Sequence, residues 1–131
     1  MKLKTEAKKA DNITKAEYEV MKVLWERGEV SAGQLYRILQ DKIGWKKSTS
    51  YTVLGKCIEK GFVGRTDPNY VCHAVVSRED VEGRVIDEFV DLYFGGSKMQ
   101  FLCFFLENIA LTPEELENFQ DMLEQTDTKT L

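Results

Sequence analysis

The residues able to do chemistry in this chain are few, and their types say which chemistry is on offer. One histidine, His73, stands beside Cys72, and two further cysteines, Cys57 and Cys103, lie far from both in sequence. On an extended strand, neighbours point to opposite faces, so Cys72 and His73 do not converge. No CxxC, HxxxH or His–carboxylate spacing offers a metal site. Glu114, Glu115 and Glu117 sit at a helix start, where they complement the helix dipole rather than form an acid–base pair. No nucleophile, base and orienting group can be assembled, so an enzyme is not expected, nor is a cofactor or metal. The chemistry left is electrostatic. From Gly44 to Ile58 there is no acidic residue, while Lys46, Lys47, Ser48, Thr49, Thr52 and Lys56 crowd around Trp45 and Tyr51. Hydroxyls, backbone N–H groups and lysines at a helix N-terminus suit the phosphates and groove edges of duplex DNA.

Those side chains need a scaffold to position them, and helix signals supply one. Thr14 and Glu17 form a capping box before a stripe of Ala16, Val20, Val23, Leu24 and Arg27, widened by Met21 and Trp25; Gly28 ends it. Ser31 caps a second helix with Leu35, Ile38 and Leu39 inward, closed by Gly44, and Val30 serves as a one-residue bridge before it. Ser48 or Thr49 is expected to cap a third helix. Val53, Leu54, Cys57 and Ile58 would then face inward, with Thr49, Tyr51, Thr52, Gly55 and Lys56 outward and Gly61 at the end. Phe62–Thr66 and Tyr70–Val76 then read as strands around Asp67-Pro68-Asn69, a type I turn with proline second. Arg65 is expected at the base of this hairpin. Three helices followed by a hairpin make a winged helix whose later helix pair is a helix-turn-helix.

The second half differs in charge and in apolar pattern. Residues 1–76 hold 14 Lys/Arg against 9 Asp/Glu, a net of +5; residues 77–131 hold 4 against 13, a net of −9. A basic half beside an acidic half fits one part facing a polyanion. Ser77 and Asp80 open a fourth helix with stripes Val81, Val85, Phe89, Leu92 and Ile86, Val90, Tyr93, stopped by Gly95-Gly96. Met99–Leu106 is apolar on every side, and Thr112-Pro113 starts a last helix with Leu116, Phe119, Met122 and Leu123 inward. About 50 residues in three helices are marginal for an independent core, so this half is expected to dimerise. The expected contacts are Val85, Phe89, Leu92, Phe101, Leu102, Phe104, Phe105, Leu116 and Phe119. The fold class is therefore mostly α. An arm at 1–12 precedes a winged-helix DNA-binding domain at 13–76 and a three-helix dimerisation region at 77–131.

Composition excludes other classes. Of 131 residues, 43% are hydrophobic and 31% charged, with two prolines and nine glycines, as in ordinary globular chains. The longest apolar run, Phe101–Leu106, is far below the ~20 residues of a membrane helix, so membrane insertion is not expected. MKLKTEAKKADN lacks the apolar stretch of a secretory signal, and three widely spaced cysteines suit reduced thiols. A cytoplasmic location follows as an expectation.

The segments Ile13–Trp25, Trp45–Leu54 and Glu59-Lys60-Gly61-Phe62-Val63 resemble the opening helix, recognition helix and wing entry of the penicillinase-repressor (BlaI/MecI) family. Tyr93-Phe94-Gly95-Gly96 and Leu111–Leu116 are similar to its dimerisation region. The resemblance implies a homodimeric transcriptional repressor on a palindromic operator, with antibiotic resistance as the regulated trait. It places Thr49, Tyr51, Thr52 and Lys56 on the DNA-facing helix surface and Lys46 and Lys47 at its approach, and the residues' own chemistry adds Ser48 and Arg65 to the expected DNA contacts. It also implies a membrane-bound sensor protease whose signal leads to cleavage near Cys103–Phe104, where the family's context has Asn before Phe. Copper-responsive relatives carry a C-terminal cysteine cluster that Thr126–Leu131 lacks, so copper sensing is not expected. Two readings from other classes stand beside this one: a winged helix that docks a protein instead of DNA, and a redox or metal sensor built on cysteines expected to be dispersed.

Overall fold

A computed structural model describes residues 12–130, those from 127 on by backbone alone. The expected arm at 1–12 lies outside the described residues except for Asn12. The chain divides into two compact units, Met1–Ile86 and Asp87–Leu131. In order, the elements are α1 (Lys15–Arg27), β1 (Val30–Ser31), α2 (Ala32–Ile43), α3 (Lys47–Glu59), β2 (Val63–Thr66), β3 (Val71–Ala74), α4 (Arg78–Phe94), α5 (Lys98–Asn108) and α6 (Pro113–Thr130).

Local chemistry sets the ends of the first helices. The Thr14 hydroxyl accepts from Glu17 N–H at 3.2 Å and the Glu17 carboxylate accepts from Thr14 N–H at 2.9 Å, the reciprocal capping box. Ser31 and Gln34 repeat it at α2. Gly44 takes a left-handed φ of 73° that a side chain would resist, and α2 stops there. The strands form one antiparallel sheet in the order β1-β3-β2, with Val30 opposite Cys72 and Gly64 opposite His73. The expected bridge at Val30 is thus a two-residue strand that ties the start of α2 to the hairpin.

The first unit has a continuous core. Val20, Met21, Val23 and Leu24 of α1 meet Leu35 and Leu39 of α2, Leu54 and Cys57 of α3, and Phe62, Val63 and Cys72 of the hairpin. Burying each of the larger side chains contributes roughly 1.5–3 kcal/mol. Trp25 Nε1 donates to the Val76 carbonyl at 2.9 Å, fixing the chain as it leaves β3.

Residues 67–70 join β2 to β3, with the Asp67–Pro68 peptide cis and Tyr70 at φ 50°. Arg65 is one residue from the turn, not at the hairpin's base.

The second unit lacks a comparable core. Among its described side chains only Val90 is buried. Phe94 stacks at 5.8 Å from Phe89, 5.5 Å from Phe101 and 5.7 Å from Phe104, with Phe105 at 6.4 Å from Phe101. Of sixteen exposed large apolar residues in the described chain, fourteen lie from Val85 onward. They include Val85, Phe89, Leu92, Leu102, Phe104, Phe105 and Leu116 from the expected contact set, while Phe101 and Phe119 are half-buried. No described helix is long and apolar enough to cross a membrane.

Candidate nucleic-acid interface

The helix that carries the basic residues begins earlier than its hydroxyls suggest. Lys46 is the N-cap of α3, with extended backbone (φ −77°, ψ 162°) and no side-chain cap, so neither Ser48 nor Thr49 caps it. Ser50 N–H donates to the Lys46 carbonyl at 3.1 Å, closing the first turn. The three preceding N–H groups have no carbonyl one turn back, and the helix dipole makes this end electropositive. Lys46, Lys47, Ser48 and Thr49 surround it, all exposed. Anions are favoured at such an end.

The inward face also differs. Ser50, Leu54 and Cys57 are buried, at spacings of four and three, whereas Val53 and Ile58 are only half-buried. The stripe is turned so that Thr49, Thr52 and Lys56 align outward, again three and four apart. Ser48, Thr49, Thr52 and Val53 line a shallow depression on that face. Tyr51 and Gly55, expected outward, are half-buried. The Tyr51 ring meets Tyr70 edge-on at 5.9 Å, and Lys47 Nζ lies 5.9 Å from its centroid.

The wing brings Arg65 to the same neighbourhood. Its guanidinium stacks 3.6 Å from the Tyr70 ring centroid, and its Nε donates to Asp67 Oδ1 at 3.0 Å. Tyr70 is itself held, since its carbonyl accepts from Ala32 N–H at 2.9 Å. Arg65, Tyr70, Tyr51 and Lys47 thus run as a cation–aromatic ledge from the hairpin to α3.

Two features of the packing of α3 are invisible in the sequence pattern. Glu17, 1% exposed, accepts at Oε1 from Lys60 Nζ at 3.0 Å, and Lys60 also donates to the Asn12 carbonyl at 2.9 Å. The end of α3 is thereby pinned to the start of α1. Ser50 is buried as a small polar residue on the packed face, and helical spacing from Val53 alone cannot find it.

The histidine and cysteines play packing parts. His73 lies half-buried across Gly64, where a Cβ would come within 2.6 Å of the imidazole. Cys57 and Cys72 share the core of the first unit, correcting the expectation that all three thiols are dispersed. Burial, with Glu17 nearby, pushes the Cys57 thiol up to about 12; burial also raises Cys72. Cys103 is exposed on α5, and Phe104 beside it is exposed too. Among the described residues no group of three His, Cys, Asp or Glu is placed to hold a metal ion.

Known proteins resemble this chain over nearly its whole length. The family model described as penicillinase repressor matches residues 13–125. The methicillin resistance regulatory protein MecI of Mammaliicoccus sciuri is 25% identical over 117 residues, covering 88% of this chain and 95% of its own. The penicillinase repressor of Bacillus licheniformis is 27% identical over 120 residues, covering 90% of this chain and 94% of its own. The solution structure of the DNA-binding domain of the repressor BlaI aligns with 52% of this chain and 85% of its own, at 27% identity and a TM-score of 0.47. With a family model spanning the first helix of the winged unit through the last helix of the second, the chain belongs to the penicillinase repressor family.

Proposed function

We propose that the protein is a transcriptional repressor that binds duplex DNA as a homodimer on a palindromic operator. The observation that carries this reading is the outward face of α3. Lys46, Lys47, Ser48 and Thr49 are exposed around the helix N-terminus and Thr52 and Lys56 are exposed further along the helix, with no acid between Gly44 and Ile58. Lysines neutralise phosphates on any sequence, while hydroxyls and N–H groups fix register and reach base edges. Tyr51 supports this face from behind, and Arg65 flanks it from the wing. A winged helix that docks a protein would offer an apolar or acidic face here, and this face is polar and basic.

The apolar surface from Val85 onward supports the dimer. Exposed patches of this extent are uncommon on monomers and mark interaction sites. Two winged units joined through this region, residues 77–131, would bind half-sites one DNA turn or a multiple apart. The linkage makes the second contact intramolecular and raises avidity by about 10²–10⁴. A cut near Cys103–Phe104, prompted by a membrane-bound sensor protease, would divide the aromatic cluster of α5 and remove that gain. Relief by another signal would have to separate the protomers without a cut.

Hydroxyl-radical footprinting of the DNA upstream of the protein's own gene tests the reading. Two protected patches on one face of the duplex, related by a dyad, are expected. Uniform weak protection along the fragment would refute a sequence-specific dimer.

A further inference from the structure

We propose that Asp67 limits the affinity of the wing for DNA by holding Arg65 in an internal ion pair that a DNA phosphate has to displace. The proposal rests on the reading of the protein as a DNA binder. Arg65 is engaged from two sides: Tyr70 covers its face at 3.6 Å, and Asp67 Oδ1 takes Nε at 3.0 Å. The stack leaves the guanidinium edge as its route to an acceptor, and a guanidinium carries five donors, so further N–H groups remain beyond the one given to Asp67. Tyr70 in turn leans on Tyr51 of α3, which brings this edge beside the lysine-bearing face. Both members of the pair face solvent, with side chains 44% and 65% exposed. An exposed pair of this kind is weak, so a phosphate that binds an arginine in charge-assisted fashion can replace the carboxylate.

Asp67 is also a negative charge next to an otherwise acid-free face. Its carboxylate opposes every phosphate that approaches Arg65, whatever the base sequence. Because phosphates carry no sequence, the pair weakens binding to every duplex alike, and Asp67 acts as a positioning residue that limits affinity.

The test compares wild type, Asp67→Asn, Arg65→Ala and the double variant on two duplexes, one from the protein's own promoter and one of mixed sequence. Fluorescence anisotropy at several salt concentrations reads affinity and salt slope. Asp67→Asn is expected to tighten mixed-sequence binding about threefold or more and to steepen the slope by about 0.9 per protomer. Binding to the promoter duplex should gain by a similar factor, because phosphates carry no sequence. In the Arg65→Ala background the same substitution should change affinity less than about twofold. Equal gains in both backgrounds would mean that Asp67 acts only as diffuse charge, and weaker binding by Asp67→Asn would mean that it prepares Arg65 for DNA; either overturns the proposal. Asp41→Asn, on α2, controls for net charge. A wild type that binds neither duplex at low salt refutes the DNA reading and this proposal with it, whereas a wild type that binds and an Asp67→Asn variant indistinguishable from it refute this proposal alone.

Discussion

Replacing Lys46 or Lys47 by Ala reports on the interface through salt as well as through affinity. Both lysines are exposed at the N-terminal end of α3, and Lys47 Nζ lies over the Tyr51 ring at 5.9 Å, so Lys46→Ala is the cleaner of the two. Each phosphate contact contributes about 0.9 to the slope of log affinity against log salt on B-form DNA. A dimer carries each lysine twice, so one substitution should flatten the slope by about 1.8. Between about 50 and 200 mM salt, two contacts account for roughly a twelvefold loss of affinity. The variant's deficit against wild type should therefore shrink by that factor across the titration. The effect should be equal on promoter and mixed-sequence duplexes, because phosphates carry no sequence. Lys22→Ala is the control: Lys22 on α1 pairs with Glu19 at 3.3 Å, and its loss should leave the slope unchanged. An unchanged slope for Lys46→Ala and Lys47→Ala would take both residues out of the interface and refute the assignment of α3. A flattening of only about 0.9 would mean that one protomer, not two, engages the duplex.

Other consequences follow from the two units. Phe104, 51% exposed in the single chain, should be covered in the dimer, so Phe104→Asp is expected to give monomers by sedimentation and to lower promoter affinity at least about a hundredfold. A persistent dimer would displace the interface from α5. Glu17→Ala removes the acceptor of both Thr14 N–H and Lys60 Nζ; because Lys60 keeps partial access to water, a loss near 2–3 kcal/mol is expected, below the 3–5 of a fully buried pair. A shift in urea midpoint worth less than about 0.5 kcal/mol, the range of neutral surface changes, would show the pin to be idle. The Cys57 thiol, pushed up by burial from its usual 9.0 to about 12, favours the folded state while protonated. Its contribution is complete below pH 9 and is lost as pH rises towards 12, so alkaline destabilisation should be smaller in Cys57→Ala. At pH 8 iodoacetamide should label Cys103 in the native protein, and Cys57 only after unfolding.

The features legible in the sequence are those decided within a few residues. Thr14 with Glu17, Ser31, Gly44 and the acidic start of α6 announce helix ends because caps and left-handed glycines act locally. The acid-free run from Gly44 to Ile58 likewise points to α3 without knowledge of its neighbours. What sequence missed depends on packing between distant segments. Ser50, absent from the expected inward stripe, marks the turn of α3 that faces the core, since the rotation of a helix is set by what it packs against. Tyr51 is drawn towards Tyr70, nineteen residues on, a contact that local sequence does not announce. Lys60 reads as one more surface lysine until Glu17 is placed beside it. The apolar faces of α4 to α6 are plain from periodicity, yet periodicity does not say what covers them.

The central claim is sequence-specific DNA binding through the winged unit, and one measurement addresses it most directly. Labelled duplex from the protein's own promoter, titrated by fluorescence anisotropy beside a scrambled duplex at matched salt, gives the ratio of specific to non-specific affinity. A saturable isotherm at least about 10³ tighter on the promoter duplex is the predicted result. Equal, weak binding to both duplexes would contradict it.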